Sequence, residues 1–411
     1  MNHFLHKWLR IALINLSVIA LIGVILRYKI VFSLPIIDQK HLLHAHSHFA
    51  FAGWLTQVLM TLMVAFLYQK GLTNAFKKYG WLLLFNLITA YGMLITFSLE
   101  GYGVFSISFS TLSVVVSYFF AVIFWKDLNS LKSSSVSHFW FKAAIIFNAV
   151  SSIGAFSLAF MMAKHIIHQN WYLSAVYFFL HFQYNGWFFF VCAGLLIDKL
   201  ESHNIFSNTY KTIFWIFFLA FTPAYFLSTL WMRLSVWIYI IVVISALAQV
   251  VGWILLVRIM YLHLETLNKV TSIAGRCLLS LAAFAVSIKF FLQLGSTYPA
   301  LSTMAFGFRP IVIGYLHLVL LGALTMFVLG YIVANGFISL KLFSIIGICV
   351  FVFGIIVNEI ILMAQGVSDL QYDSIPYANE MLLITAIIMF TGMLLFVIDQ
   401  FKNRITIIPV R

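Results

Sequence analysis

Long apolar runs, separated by short polar segments, make up almost the whole chain. A helix needs roughly 20 apolar residues to cross the hydrocarbon core of a membrane. Twelve runs of about that length follow one another, at residues 9–33, 44–69, 78–98, 104–125, 139–163, 171–197, 209–230, 234–258, 272–295, 310–335, 340–365 and 378–400. Because the joining segments leave no room for a soluble domain, the pattern predicts an all-α polytopic membrane protein. Residues 1–411 would form one integral membrane domain of twelve transmembrane helices.

Composition and charge agree with membrane insertion and argue against a nucleic-acid partner. Charged residues are 9% of the 411 residues and hydrophobic residues are 63%, too little charge to cover a soluble fold. The net charge of +13 comes from 24 lysines and arginines that are spread over the loops. If the N-terminus is cytoplasmic, seventeen of them fall on the cytoplasmic side, six fall outside, and Lys289 lies within a run. This bias predicts that both termini face the cytoplasm and that lipid is the surrounding partner.

Three histidines occupy equivalent places in the chain. His48, His181 and His317 lie a few residues inside the second, sixth and tenth runs, which should all cross the membrane in the same direction. At the helical rise per residue they would lie about 6, 15 and 10 Å below their helix starts, in the outer half of the membrane. Imidazole is the commonest protein ligand for metals and for haem iron. The spacing therefore predicts metal or haem ligands, and its period of four helices suggests three related groups.

The surroundings of these histidines leave other interpretations open. His41 and His44 fit a wet polar cluster at a helix end, and His44 shares a helical face with His48, whereas His46 points away from it. His181 stands in HFQYNGW, where its polar neighbours could instead form interhelical hydrogen bonds. Glycines recur every eight residues in the tenth run, which permits close approach of a flat macrocycle or another helix: Gly314, Gly322 and Gly330.

The cysteines, the basic residues and the carboxylates narrow the choice of cofactor. The three cysteines have no pair spacing, which argues against a disulfide framework, and the absence of CxxCH excludes covalently attached haem c. Lys289, Arg309 and Arg27 could neutralise haem propionates or could snorkel to the membrane surface. No carboxylate lies at the centre of a run, so a proton relay of carboxylates is not visible.

The layout of twelve helices with histidines in the second, sixth and tenth resembles the catalytic subunit I of haem-copper oxidases and nitric-oxide reductases. HSHFAFAGW resembles the helix-two motif, which implies that His48 is an axial ligand of the low-spin haem, with His46 as the alternative. Tyr315-Leu316-His317 resembles the helix-ten HxH motif with its first position replaced. The resemblance implies His317 as the second ligand of a haem b and puts Tyr315 where the high-spin haem ligand belongs. HFQYNGW resembles the reductase helix-six motif, which implies His181 as a metal ligand.

The seventh run departs from that family. The family carries an adjacent pair of histidines there, and FFLAFTPAYFLSTLW contains none, although Pro223 interrupts the run. With one metal-binding histidine in place of three, a copper centre is not expected. The resemblance thus implies a divergent, short member with a pseudo-threefold arrangement of helices and one haem b, while a second haem on Tyr315 stays open.

Three functions remain as hypotheses. The leading one is electron transfer through a bis-histidine haem b, with a degenerate site for oxygen or nitric oxide. The electrons would come from quinol or a periplasmic donor, in a bacterial cytoplasmic membrane and with partner subunits. The second is a working terminal oxidase or nitric-oxide reductase with an unconventional metal site. The third is a transporter or assembly factor on the same fold without haem, so whether the chain is an enzyme stays open.

Overall fold

The computed structural model describes residues 3–132, 135–232, 234–302, 308–370 and 373–402, and helix is the regular secondary structure throughout them. Among these described residues eleven helices are long and apolar enough to cross a membrane, and the number is twelve if one bent pair counts as a single span. They are α1 His3–Val31, α2 Gln39–Gln69, α3 Ala75–Glu100, α4 Val104–Ser130, α5 Ser137–Ala163, α6 Gln169–Ser202, α7 Thr209–Phe221 with Pro223–Thr229, α8 Val236–Leu262, α9 Ile273–Gly295, α10 Arg309–Ala334, α11 Leu342–Leu370 and α12 Ala378–Phe401. The prediction of an all-α protein is confirmed, and the number of long apolar helices is compatible with a polytopic membrane protein.

Helix α2 begins earlier than its hydropathy predicts. Asp38 caps its first turn by accepting a hydrogen bond from the backbone N–H of His41 at 2.8 Å, so the polar residues before the apolar run are helical too. That hydrogen bond holds the pKa of the Asp38 carboxyl below its ordinary value. His48 therefore lies about 14 Å along α2, rather than the expected 6 Å.

The helices form two compact units, residues 1–120 with 328–411 and residues 121–327, and the division falls inside α4 and α10. In the first unit α11 packs against α12, α12 against α1, and α2 against α3. In the second unit α5 packs against α6, α7 against α8, and α9 against both α8 and α10. The single domain predicted from the loop lengths stays a prediction.

The three helices with the equivalent histidines share an irregular backbone. Each contains a π-helical segment, at Ala50–Thr56 in α2, His181–Phe188 in α6 and Leu318–Thr325 in α10. Each segment begins within two residues of its histidine. The backbone thus repeats the four-helix period of the histidines. Because π-helical turns are rare and frequent at functional sites, the three segments mark candidate site positions.

Glycines bring the backbones of α11 and α12 into contact, and replacing one of them tests this part of the fold. A Cβ at Gly347 would lie 2.7 Å from the carbonyl oxygen of Gly392 and from the backbone nitrogen of Phe396. We expect Gly347→Ala to lower the free energy of unfolding by about 2 kcal/mol, because backbone cannot move aside as a flexible side chain can. Unfolding by SDS in mixed micelles, followed by circular dichroism, measures this.

The matched control for that measurement is Gly80→Ala. Gly80 lies in α3, where an added Cβ meets nothing within 4 Å, and alanine is the better helix former. Gly80→Ala should therefore be neutral or slightly stabilising. Equal stability of the two variants would contradict the close packing of α11 on α12.

Candidate functional site

His181 in α6 is buried and both of its ring nitrogens are hydrogen-bonded. Its side chain is 1% exposed, its Nε2 lies 3.0 Å from the carbonyl oxygen of Phe221, and its Nδ1 lies 3.1 Å from the amide nitrogen of Asn185. A carbonyl only accepts, so Nε2 carries the hydrogen and donates it to Phe221. Nδ1 must then accept from the Asn185 amide. Ligation of a metal by His181 would require one of these hydrogen bonds to break.

The Phe221 carbonyl is available because α7 breaks at this point. Pro223 has no N–H and the two parts of α7 meet at an angle of 45°. Beyond the break, the backbone N–H of Tyr225 bonds to the carbonyl of Thr222 at 3.2 Å, one residue later than an α-helix would place it. The carbonyl of Phe221 therefore loses the N–H of Tyr225 as its donor, and Nε2 of His181 takes that place. This hydrogen bond connects α6 to the break in α7.

The same hydrogen bonds orient Asn185 toward a small cavity. Since its amide nitrogen faces His181, its Oδ1 points the other way, and this buried atom has no hydrogen-bond partner among the described residues. Asn185 is 7% exposed. The cavity measures about 10 Å³, which is enough for one water molecule. Its wall comprises Asn185, Phe189, Phe190, Phe217, Phe221, Gln249, Lys289 and Phe290.

Lys289 in α9 brings a buried cation to this cavity. It is 4% exposed, so its ammonium does not snorkel to the membrane surface. Nζ donates to Oε1 of Gln293 at 3.2 Å and lies 4.2 Å from the centre of the Phe290 ring. No carboxylate in the described part of the chain pairs with it. The cavity thus lies between a hydrogen-bond acceptor, Oδ1 of Asn185, and a donor, Nζ of Lys289. A single water molecule can bridge such a donor and acceptor.

His48 in α2 lies in the first unit with a half-buried ring. The ring stacks on Phe97 of α3, with centroids 4.2 Å apart, and its Nε2 lies 3.4 Å from the hydroxyl of Tyr102, a long and weak hydrogen bond. The ring of His44 lies 4.7 Å from that of Tyr102, so His44 and His48 share a face as predicted. The positive φ of Gly101, +64°, turns the chain after α3 at this point. Sequence reasoning missed Tyr102 because only this turn brings it to the histidines.

His46 faces α1 from the other side of α2. Its Cε1 lies 3.7 Å from the position that a Cβ on Gly23 would occupy. Its Nδ1 is buried and makes no hydrogen bond within the described residues. Arg27, one turn further along α1 than Gly23, is close enough to interact electrostatically with this imidazole. His46 therefore has a buried ring nitrogen without a hydrogen-bond partner among the described residues, close to an arginine.

Buried amide side chains pack on the π-helical segments of α2 and α6. Asn86 of α3 donates to the carbonyl of Ala52 at 3.1 Å, and Asn15 of α1 donates to that of Gly53 at 2.5 Å. In α6, Gln183 donates to Oδ1 of Asn148 at 2.9 Å. These residues were missed by the sequence analysis, although an amide within an apolar run is the signal that marks such positions.

The predicted residues of α10 lie along its first half. Arg309 is exposed at the helix start, and Tyr315 and His317 are half-buried. Tyr315 interacts electrostatically with Tyr184 of α6. A Cβ at Gly322 would lie 3.3 Å from that of Ala285 in α9, which is the close helix approach that the recurring glycines predicted.

Two of the predicted residues lie close to one cavity in the second unit. Lys289 lines this cavity, and His181 is hydrogen-bonded to Asn185, which also lines it. The structure places His46 and His48 on opposite sides of α2 in the first unit. Among the described residues, no group of three or more histidine, cysteine, aspartate or glutamate side chains is placed to hold a metal ion.

No protein-family model matches the chain, and a comparison with curated proteins finds no match.

Proposed function

We propose that this chain is a haem-binding membrane protein of the oxidase subunit I type, which transfers electrons through one b-type haem. The observation that carries the proposal is the coincidence of a histidine with a π-helical segment in α2, α6 and α10. π-helical turns are rare and are frequent at functional sites. An ionisable residue at each of these places favours function over packing.

The surroundings of α2 fit an axial haem ligand. His46 has a buried Nδ1 without a hydrogen-bond partner in the described chain, with Arg27 nearby to neutralise a propionate. His48 has only a weak bond at Nε2. His46 is therefore the ligand that the contacts favour, and His48 is the alternative. The other axial position goes to His317 on the resemblance of its sequence motif alone. Bound haem would supply one-electron transfer.

The contacts of His181 favour electron transfer over reduction of oxygen or nitric oxide. Both of its nitrogens are engaged, and the cation beside its cavity is the ammonium of Lys289. A protein side chain therefore supplies positive charge near His181, the residue that the resemblance implies as a metal ligand. The electron donor, a quinol or a periplasmic carrier, and partner subunits in a bacterial cytoplasmic membrane belong to the same proposal.

Visible spectroscopy of the purified full-length protein tests the proposal. We expect a Soret band, a sharp α band on reduction and about one haem b per chain by pyridine haemochrome assay. His46→Ala and His317→Ala should each abolish or broaden the α band, because loss of an axial ligand changes the spin state of the iron. His44→Ala, at the cluster but not a proposed ligand, is the matched control.

Other results would replace the proposal. Absence of a Soret band would leave a transporter or assembly factor. Two haems per chain, with consumption of oxygen or nitric oxide, would favour the working reductase with Tyr315 as a ligand. A spectrum lost in His48→Ala and kept in His46→Ala would exchange the roles of these two histidines.

A further inference from the structure

Glu359 is a carboxyl group within the membrane-spanning part of α11, in the first unit. At the helical rise per residue it lies about 25 Å from the first residue of the helix and about 16 Å from the last. The other acidic residues of the described spanning helices lie within about one turn of a helix end. Glu359 is the exception, and ionisable side chains inside a membrane usually serve a function.

The helix surface around Glu359 faces away from the protein. Its neighbours on that surface, Ile356, Ile360 and Met363, are exposed apolar side chains, and the carboxyl group itself is half-buried. The exposed apolar face continues to Val367, about 12 Å further along the helix, which is farther than a glutamate side chain extends. Because exposed apolar side chains of a spanning helix contact lipid, the carboxyl group opens toward the lipid and does not reach the membrane surface.

One hydrogen bond holds the carboxyl group. Nδ2 of Asn358 donates to Oε1 of Glu359 at 3.2 Å, and Asn358 is buried on the stripe of α11 that includes Gly347 and Gly354, which contact α12. Within the described part of the chain, no lysine, arginine or histidine forms an ion pair with Glu359. An ionised carboxylate without a counter-charge is costly to place in a membrane. These surroundings therefore favour the neutral carboxylic acid.

We propose that Glu359 is a proton-binding site within the membrane that is open to uncharged molecules dissolved in the lipid. Oε1 accepts from Asn358, so the proton lies on Oε2, which can donate it to an acceptor that arrives through the lipid. The proposal does not rest on haem binding, because the site includes no haem ligand and needs no cofactor.

A hydrophobic carbodiimide is an acceptor of this kind and makes the site measurable. One nitrogen of the carbodiimide takes the carboxyl proton, and the carboxyl oxygen bonds to the central carbon. Migration of the acyl group from oxygen to nitrogen then gives a stable N-acylurea, which contains every atom of both reactants. The reaction needs the protonated acid and a reagent that enters from the lipid, so it tests both parts of the proposal.

The experiment treats the purified full-length protein with dicyclohexylcarbodiimide at neutral pH and locates the adduct by mass spectrometry of its peptides. We expect an adduct at Glu359 and its loss in Glu359→Gln. Glu380 is the matched control in the same unit, because it is an exposed glutamate in the first turn of α12, and it should stay unmodified. A water-soluble, positively charged carbodiimide should show the opposite preference, for Glu380 over Glu359.

Infrared spectroscopy measures the protonation without a reagent. At mildly alkaline pH, where carboxyl groups in water are ionised, the wild type should show the carbonyl stretch of a protonated carboxylic acid. This band should shift in D₂O and be missing in Glu359→Gln. Absence of the adduct at Glu359 in the wild type, or preferential labelling of Glu359 by the water-soluble reagent, would overturn the proposal even if the variant failed to fold. The visible spectrum of the same sample tests haem binding separately.

Discussion

Replacing His181 by alanine is expected to lower the free energy of unfolding by about 3–5 kcal/mol, because the substitution combines two costs. It removes a fully buried ring, which leaves a cavity in a packed core. It also leaves the carbonyl of Phe221 and the amide of Asn185 without their partners. Unpaired polar groups are costly in a membrane interior, because lipid chains offer them no hydrogen bond.

The measurement is SDS-induced unfolding in mixed micelles, carried out with and without a chelator. The hydrogen bonds predict the same loss of stability in both conditions, because no metal takes part in them. If His181 were chiefly a metal ligand, the wild type would lose stability with the chelator and the variant would not. His48→Ala is the comparison in the first unit, where the ring is half-buried and weakly bonded, and it should cost less.

A double-mutant cycle with Pro223→Ala tests why His181 has this effect. Alanine restores an N–H at the break in α7, so a straighter helix can return the N–H of Tyr225 to the carbonyl of Phe221. His181→Ala should then cost at least about 1 kcal/mol less in the Pro223→Ala background than in the wild type. Additive effects would show that the break in α7 does not depend on His181.

The positions of the helices could be predicted from the sequence because the thickness of the membrane sets the length of an apolar run. The prediction failed at the start of α2. The helix already begins at Gln39, although the residues before His44 include polar side chains such as His41. Capping by Asp38 decides that boundary, and hydropathy does not include capping. The break in the seventh run could be predicted from the sequence, because Pro223 has no N–H and interrupts a helix whatever its neighbours are.

The candidate site could be predicted only in part, since its contacts join helices distant in sequence. The sequence indicates that His181 is unusual, but its partner is a backbone carbonyl of α7, which any residue at position 221 would provide. Tyr102 reaches His48 through the turn at Gly101, and no helical periodicity describes such a turn. The π-helical segments also depend on neighbours, because side chains of α1 and α3 satisfy carbonyls in α2.

Replacing Lys289 by methionine is expected to raise the free energy of unfolding by about 2–4 kcal/mol. The ammonium lies among phenylalanine rings with one hydrogen bond, to Gln293, and no counter-charge within the described residues. Methionine has a similar length and flexibility and fills the space without a charge to desolvate. SDS unfolding measures the change, with Lys211→Met as the control, because Lys211 is exposed at the start of α7 and should change stability by less than about 0.5 kcal/mol.

The sign of the change in unfolding free energy shows whether the buried ammonium of Lys289 stabilises or destabilises the fold. A rise in stability would mean that the chain keeps this lysine against its own stability, as proteins do for groups that function requires. A fall would mean that Gln293 and an occupant of the cavity solvate the ammonium enough to offset its burial. A water shared with Oδ1 of Asn185 is the occupant that the geometry favours. In that case Gln293→Leu should also destabilise the wild type, and it should cost less once Lys289 is methionine, because the two side chains are hydrogen-bonded.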